Sequence, residues 1–458
     1  PMRLFPLIAV CALAACMPAQ EAQVTKNYTD PGPAGVAFPA MQGFGAVASS
    51  AAARPNAEIA RDFLDLEFRM ESGRALTSFS RFDGPISVAM TGNVPGTAKT
   101  EMSRLINRFR SEAGIDIGFA QAGEDASITV AFQPRAQMAR VVPMAACFVV
   151  PRVQSWEEYR INRNSPEVDW TTVTKREHVA IFVPSDASPQ EVRDCLNEET
   201  AQAMGPLNDL YHLPDSVFND DNFNSVLTGF DMLILRMHYA PELRNGMNEA
   251  EAAKYVPALL ARYNPAGTGG EADIKQIAPR SWVAAVEGAF GPRGSNASRL
   301  AASQRMLSIA MAQGWHDGRL AFSYYAKGRS LASSDPVQAV AALSQAGQIY
   351  RSIPGAQVHV AHVDMQLAAI ALSAGQSDQA IAFADRAIPV VKRAENASLL
   401  ATLMLIKAEA LENEGRVAEA KALRLDSLGW ARYGFGSERQ VRARMGEIAL
   451  LGARGHRG

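Results

Sequence analysis

Three pairs of small residues, each pair seven residues apart, recur at a nearly fixed interval toward the end of this chain: Ala339 and Ala346, Ala380 and Ala387, Ala420 and Ser427. The pairs begin 41 and 40 residues apart, and Gly375 and Gly415 precede the second and third pair by five residues. Seven residues make two helical turns, so each pair marks one face of one helix, and small residues there let two antiparallel helices approach closely. A unit of that length cannot bury its apolar face alone, which predicts a stack of helical hairpins over roughly residues 320–432. Residues 281–313 are a candidate for an atypical first repeat, although their phase differs.

The rest of the chain does not share this pattern. Its 458 residues exceed one ordinary core, and the Gly-rich polar stretch NPAGTGGEAD, residues 264–273, marks a boundary. The expected organisation is an α+β domain over 57–262, a linker over 263–280, all-α helical repeats over 281–450 and a basic tail over 451–458. The repeats resemble tetratricopeptide-type hairpins with lengthened helices, which implies a concave surface that docks a protein or peptide. Lys and Arg total 45 against 47 Asp and Glu, so no global field draws the chain to nucleic acid. Arg439, Arg442, Arg444, Arg454 and Arg457 make the C-terminal end basic and are read as solvated.

Arg3 precedes a short apolar run, residues 4–15, too short to span a bilayer and shaped like a secretory h-region. It ends in Leu13-Ala14-Ala15-Cys16, which resembles the bacterial lipobox. That resemblance implies removal of residues 1–15, lipidation of Cys16 and, with Met17 in place of Asp, sorting to the outer membrane facing the periplasm. Residues 16–56 are rich in Ala, Pro and Gly without periodicity and are expected to be a flexible tether. With Cys11 in the signal and Cys16 carrying lipid, Cys147 and Cys195 remain as an even pair, expected to form a disulfide in an oxidising compartment.

Within the first domain, residues 59–68 and 102–117 carry helical patterning, the second with Met102, Leu105, Ile106 and Phe109 on one face. The runs PISVAM, ITVAF, CFVV and HVAIFV read as strands of a small sheet. A central helix follows. Ser188-Pro189-Gln190-Glu191 has the form of a capping box with Pro at the first helical position, and Gly205 is a natural stop. At about 100° per residue, Glu199 falls in the middle of the apolar face with Val192, Leu196 and Ala203, Gln202 flanks it, and Glu198 lies at the polar boundary.

The segment EETAQAMGPLND, residues 198–209, resembles the zinc-peptidase pattern HExxHxxGxxH. It keeps Glu199 and Gly205 but carries Glu198, Gln202 and Asn208 where the three ligand histidines belong. Ser216-Val217-Phe218 stands where metzincins have their methionine turn, with Phe218 in the Met position. Leu227, Thr228, Asp231, Leu235 and Tyr239 then fit the closing helix of matrix-type metzincins. The EExxQxxG helix and SxFND turn are also similar to an uncharacterised family of bacterial exported proteins. The resemblance implies a degenerate metzincin-like domain without the zinc ligands, since amide oxygens are weak ligands for zinc. No metal and no cofactor are expected, and no catalytic residue is assigned. The alternative is a metal-dependent hydrolase with oxygen ligands from Glu198, Glu199 and Asp209 and with Glu199 as general base. A further reading has Glu199 hydrogen-bonding the backbone of the 216–222 turn. His212, the Asn219–Asn222 turn and the group His359, His362 and Asp364 are read as packing or turn residues. The expected function is that of a non-catalytic envelope lipoprotein binding a protein or peptide partner.

Overall fold

The computed structural model describes residues 38–45, 54–143, 145–291 and 294–455. The signal segment and Cys16 lie outside the described residues. Five strands, β1 (Ile86–Gly92), β2 (Ile117–Phe119), β3 (Ile128–Gln133), β4 (Phe148–Pro151) and β5 (Val179–Pro184), form one sheet in the order β2-β1-β3-β5-β4. The first four in that order run parallel, and β4 closes the edge antiparallel to β5.

Eight helices surround the sheet: α1 (Asn56–Glu67), α2 (Ala98–Arg108), α3 (Arg135–Met138), α4 (Trp156–Asn162), α5 (Pro189–Met204), α6 (Gly229–His238), α7 (Glu249–Ala253) and α8 (Val256–Tyr263). The central strands are buried on both faces, which explains their unbroken apolar sequence. Alternate residues serve two cores. Ile128, Val130, Ile181 and Val183 pack toward α2 and α5, while Ala131, Ala180 and Phe182 join Phe148, Trp156 and Tyr159 under α4. This is the α+β fold class expected.

Four of the strands are the apolar runs recognised in the sequence; β2 is not. The stretch 102–117 reads as one helix, but α2 passes into a π-type turn at Phe109–Ala113, Gly114 adopts φ +70°, and Ile117 begins a strand pairing with Ile86. A three-residue strand is too short to show alternation.

The second half is helical: α9 (Arg280–Phe290), α10 (Asn296–Ala312), α11 (Gly318–Leu331), α12 (Pro336–Arg351), α13 (Gln357–Ser373), α14 (Ser377–Arg393), α15 (Ala397–Asn413), α16 (Val417–Phe435) and α17 (Glu438–Gly455). The first eight pair as consecutive hairpins. The small-residue pairs lie on α12, α14 and α16, the second helix of each hairpin, and all six residues are buried. Gly375 and Gly415 take φ +73° and +77° and end α13 and α15, a conformation that glycine adopts without a Cβ penalty. The last helix lies mostly inside the span expected to be helical repeats, but it adds no further hairpin. It folds back on α13 and α15 with Val441 and Ile448 fully buried, so the helix runs into the expected basic tail. Arg444 pairs with Glu447 and lies over Phe435, and Arg442 lies over Phe38, so these two cations are packed rather than solvated.

The halves interlock at two places. On α5, Arg193 is 2% exposed and bonds both the carboxylate and the main-chain oxygen of Glu395, while Gln190 Oε1 accepts the Ala397 amide at 2.8 Å. Tyr433 donates to Glu101 on α2 at 2.7 Å. Farther along, Phe223 sits among Phe322, Tyr325 and His362, and His359 meets Asp221 at 2.8 Å. Residues 38–45, expected within the tether, run along α16, where Phe44 packs on Trp430 with ring centres 4.8 Å apart. Gln42 approaches so closely that a Cβ on Gly429 would lie 2.7 Å from its Cγ.

Candidate functional site

Helix α5 is held at both ends. Ser188 Oγ accepts the Glu191 amide at 3.2 Å, and Pro189 occupies the first turn, where no N–H is needed. At the other end Gly205 lies under α6, and a Cβ there would come 3.1 Å from Leu235 Cδ2. The buried guanidinium of Arg176 takes the free carbonyls of Gln202, Ala203 and Gly205 at 2.7, 2.7 and 2.5 Å, and Tyr239 donates to Met204 O at 2.9 Å. A cation at a helix C-terminus satisfies the last carbonyls and opposes the dipole. Burial pulls Arg176 down to about 10, so it remains charged at neutral pH. In the middle of the helix, Cys195 is bonded to Cys147 beside β4, the expected disulfide.

Of the residues that the resemblance sets in the histidine positions, Asn208 and Gln202 are tied to different parts of the fold. Asn208 is buried and donates to Asp65 O at 2.9 Å, tying the chain after α5 to α1. Gln202 is buried, and its main-chain oxygen is one of those held by Arg176. Glu198 is half-buried beside Glu199. Asp231, fully buried, organises the turn: it accepts Ser216 Oγ at 2.5 Å, Val217 N at 3.2 Å and Thr228 N at 2.7 Å while closing a capping box at the start of α6. Burial pushes the Asp231 carboxyl up to about 6 despite these donors. Thus Asp231, rather than Glu199, holds the 216–218 backbone. Phe218 is a core residue at 0% exposure. His212 meets Asp62, itself paired with Arg54. His359 and His362 belong to the contact between halves; burial lowers His362 to about 3, and Asp364 pairs with Arg386 and Arg351.

Glu199 belongs to a different group. Burial and the nearby Glu71 raise its carboxyl to about 8, and its Oε2 has no hydrogen-bond partner. Burial also pushes up Glu198, with Glu199 and Asp220 adding to it. Asp209 rises through burial, the Glu71 charge and a hydrogen bond with the Glu71 carboxyl, and its Oδ1 has no partner. Asp220 stands against solvent at a cleft wall, with protein crowding it on the other sides; this surrounding mass and Glu71 raise it to about 7. Among the described residues, none of these five carboxylates makes an ion pair. They contrast with the buried acids of α1, where Asp62, Asp65 and Glu67 face Arg54, Arg61 and His238.

Glu71, Asp209 and Asp220 open onto a cavity of about 510 Å³ between the 69–73 turn, the loop after α5 and the start of α9. Sequence reasoning found Glu198, Glu199 and Asp209, read Asp220 only as part of a turn, and missed Glu71 and Arg176. Glu71 lies in an aperiodic turn and Arg176 in a charged run, and neither carries a spacing that links it to α5. Among the described residues, no three or more His, Cys, Asp or Glu side chains are placed to hold a metal ion together. No helix of the described residues is long and apolar enough to cross a membrane.

No curated protein and no solved structure matches the chain. Residues 56–258, the segment carrying the sheet, α5, the 216–223 turn and the acidic group, match a family described as protein of unknown function, DUF2927.

Proposed function

We propose that this chain is a non-catalytic, envelope-anchored lipoprotein that binds a protein or peptide partner, and that its first half is a degenerate metzincin-like domain that holds a chain without cutting it. The observation that carries this reading is the fate of the three histidine positions. Asn208 is committed to the Asp65 carbonyl, Gln202 is an amide, and Glu198 adds a third unpaired acid beside Glu199 and Asp209, so the site holds no imidazole and groups acids whose carboxyls burial pushes up. Both the lipid anchor at Cys16 and an outer-membrane location facing the periplasm are part of the proposal. Because α17 already covers α13 and α15, the partner meets the repeats along surfaces away from that helix, or in the cleft between the halves.

The test is to challenge the full chain with a randomised peptide pool, with and without added zinc, manganese or calcium. Retention of a defined peptide class with no metal-dependent cleavage supports the reading; turnover abolished by Glu199→Gln sinks it. One observation favours that second, hydrolytic reading: Glu199 is buried, lacks a partner at Oε2 and titrates near neutrality, as general acids and bases do. As a base it would be ionised in only a minor fraction of molecules at pH 7, so its activity would climb toward pH 8.

A further inference from the structure

We infer that residues 38–45 are a strap that fills, within the chain, a docking groove on α16, and that the partner peptide enters the same groove by the same means, as an extended segment carrying two aromatic side chains six positions apart, as Phe38 and Phe44 are. This inference rests on the peptide-binding reading above and sets that peptide beside α16, where the two halves meet.

Three observations support it. First, the strap lies on the surface without regular structure of its own. None of its residues is buried, Phe38 and Phe44 are half-buried, and Met41 is 40% exposed, whereas Gly429, Trp430 and Tyr433 beneath it are buried. Second, it is held through its main chain: Arg432 donates to Pro39 O at 2.6 Å, Gln42 N donates to Gly429 O at 3.1 Å, and Arg104 donates to Gly45 O. Any extended peptide can supply those groups, so main-chain bonds give affinity and side-chain positions select the guest. Gly429 makes the close approach possible. The three atoms nearest a Cβ built there all belong to the strap, Gln42 Cγ at 2.7 Å, Ala40 O at 3.1 Å and Gln42 Nε2 at 3.1 Å. A glycine inside a helix is destabilising relative to alanine, and the strap lying on it accounts for its place. Third, the two selecting positions are built for aromatic rings. Phe44 packs on Trp430, meets Tyr433 edge-on with ring centres 6.2 Å apart and has the Arg193 guanidinium 5.3 Å from its centre, and Phe38 lies 4.9 Å from the Arg442 guanidinium. A cation over a ring face attracts an aromatic side chain more than an aliphatic one. Because the strap is joined to the chain, it holds the groove at high effective concentration, and a free peptide competes poorly until the strap is loosened.

The experiment is isothermal titration of the full chain with the capped peptide FPAMQGFG, the sequence of residues 38–45. Phe38→Ala with Phe44→Ala loosens the strap inside the chain. Gln42→Pro does so by a second route, removing the amide bonded to Gly429 O without touching either core, and keeps the test valid if the first variant perturbs folding. Each loosened chain is expected to bind the peptide at least about tenfold more tightly than the parent does, and a peptide with alanine in place of both phenylalanines is expected to bind neither. Gly429→Leu added to a loosened chain should erase binding without lowering its thermal midpoint. A strap peptide that fails to bind both loosened chains, or binding that survives Gly429→Leu, overturns the inference. Peptides selected from the randomised pool on a loosened chain should carry two aromatic residues six apart, be displaced by FPAMQGFG and bind the parent more weakly. Selected peptides that bind parent and loosened chains equally and resist displacement sink this inference while leaving peptide binding intact, whereas a pool with no binders on any chain sinks both. A dimer that the strap peptide dissociates would give the groove to a second copy of the chain and also overturn it.

Discussion

Glu199 has its carboxyl among acids rather than cations, and the proton it keeps sets its energetic cost. Its folded value of about 8 stands above the ordinary value of 4.5. Between those two values the folded chain holds a proton that the unfolded chain has lost, so stability is greatest below the lower value and falls as pH rises through the upper one. Asp194 and Asp220, each raised to about 7, act in the same direction. Glu199→Gln removes the penalty. It should leave urea unfolding nearly unchanged at pH 5 and stabilise the protein at pH 9 by on the order of a few kcal/mol. Equal stability of the two proteins at pH 9 would mean that Glu199 ionises beside a counter-charge, contrary to the unpaired cluster. Arg176 is the opposite case, a buried cation whose bonds are all made. Arg176→Met should cost about 3–5 kcal/mol in denaturant unfolding, because the α5 carbonyls lose their donor in a dry site; a loss below about 1 kcal/mol would mean that water reaches the helix end. The helical phase placed Glu199 on an apolar face correctly. Its companions Glu71 and Asp220 come from turns distant in sequence, and only the folded chain brings them together.

The central helix α5 was legible at both ends because its stop signals are local: a serine cap, a proline in the first turn and a closing glycine. The sheet was legible where strands are long enough to alternate or to be wholly apolar, and β2 was lost for want of length. Cysteine counting placed the Cys147–Cys195 bridge, which ties α5 to the edge strand across 48 residues. Closing a loop of that size removes unfolded-state entropy worth about 4 kcal/mol, so Cys195→Ser should lower stability by roughly that amount in non-reducing denaturant titrations and by little once the parent protein is reduced. In the second half, the small-residue pairs identified the inner faces of α12, α14 and α16 because close helix contact demands them. Filling one of those faces, as in Ala387→Leu, should cost about 1–3 kcal/mol by overpacking, read as a lower thermal midpoint; an unchanged midpoint would mean the hairpin has slack that full burial of Ala387 does not suggest. By contrast, α13 and α15 are buried nearly all round, with twelve buried residues each, because α17 covers a face that a stack of hairpins alone would leave open. Nothing local in α17 announced that it would turn back.

At the scale of the whole molecule, sequence suggested two domains on a linker, and the fold instead joins them through side chains. Arg193 and Arg104 both reach Glu395, a residue at φ +55° between α14 and α15, and Tyr433 reaches Glu101. His359 reaches Asp221 in the very turn that Asp231 organises. The second contact continues into rings, with Phe223 stacked 4.2 Å from His362, which burial keeps neutral. Each contact pairs a group buried in one half with a group buried in the other, so separating the halves would strand charges in apolar surroundings on both sides. Removing one partner of such a pair costs about 2–5 kcal/mol, most of it from the partner left behind. The halves are therefore expected to unfold together in one calorimetric transition. Arg193→Ala with His359→Ala should divide that transition in two, the repeats and the α+β half each melting at its own temperature. Each single variant should shift the midpoint without dividing the transition, since the other contact still couples the cores. A double variant that melts in one transition at the parent temperature would place the coupling elsewhere, in the 38–45 segment along α16, and deletion of that segment would then be the change that separates the halves.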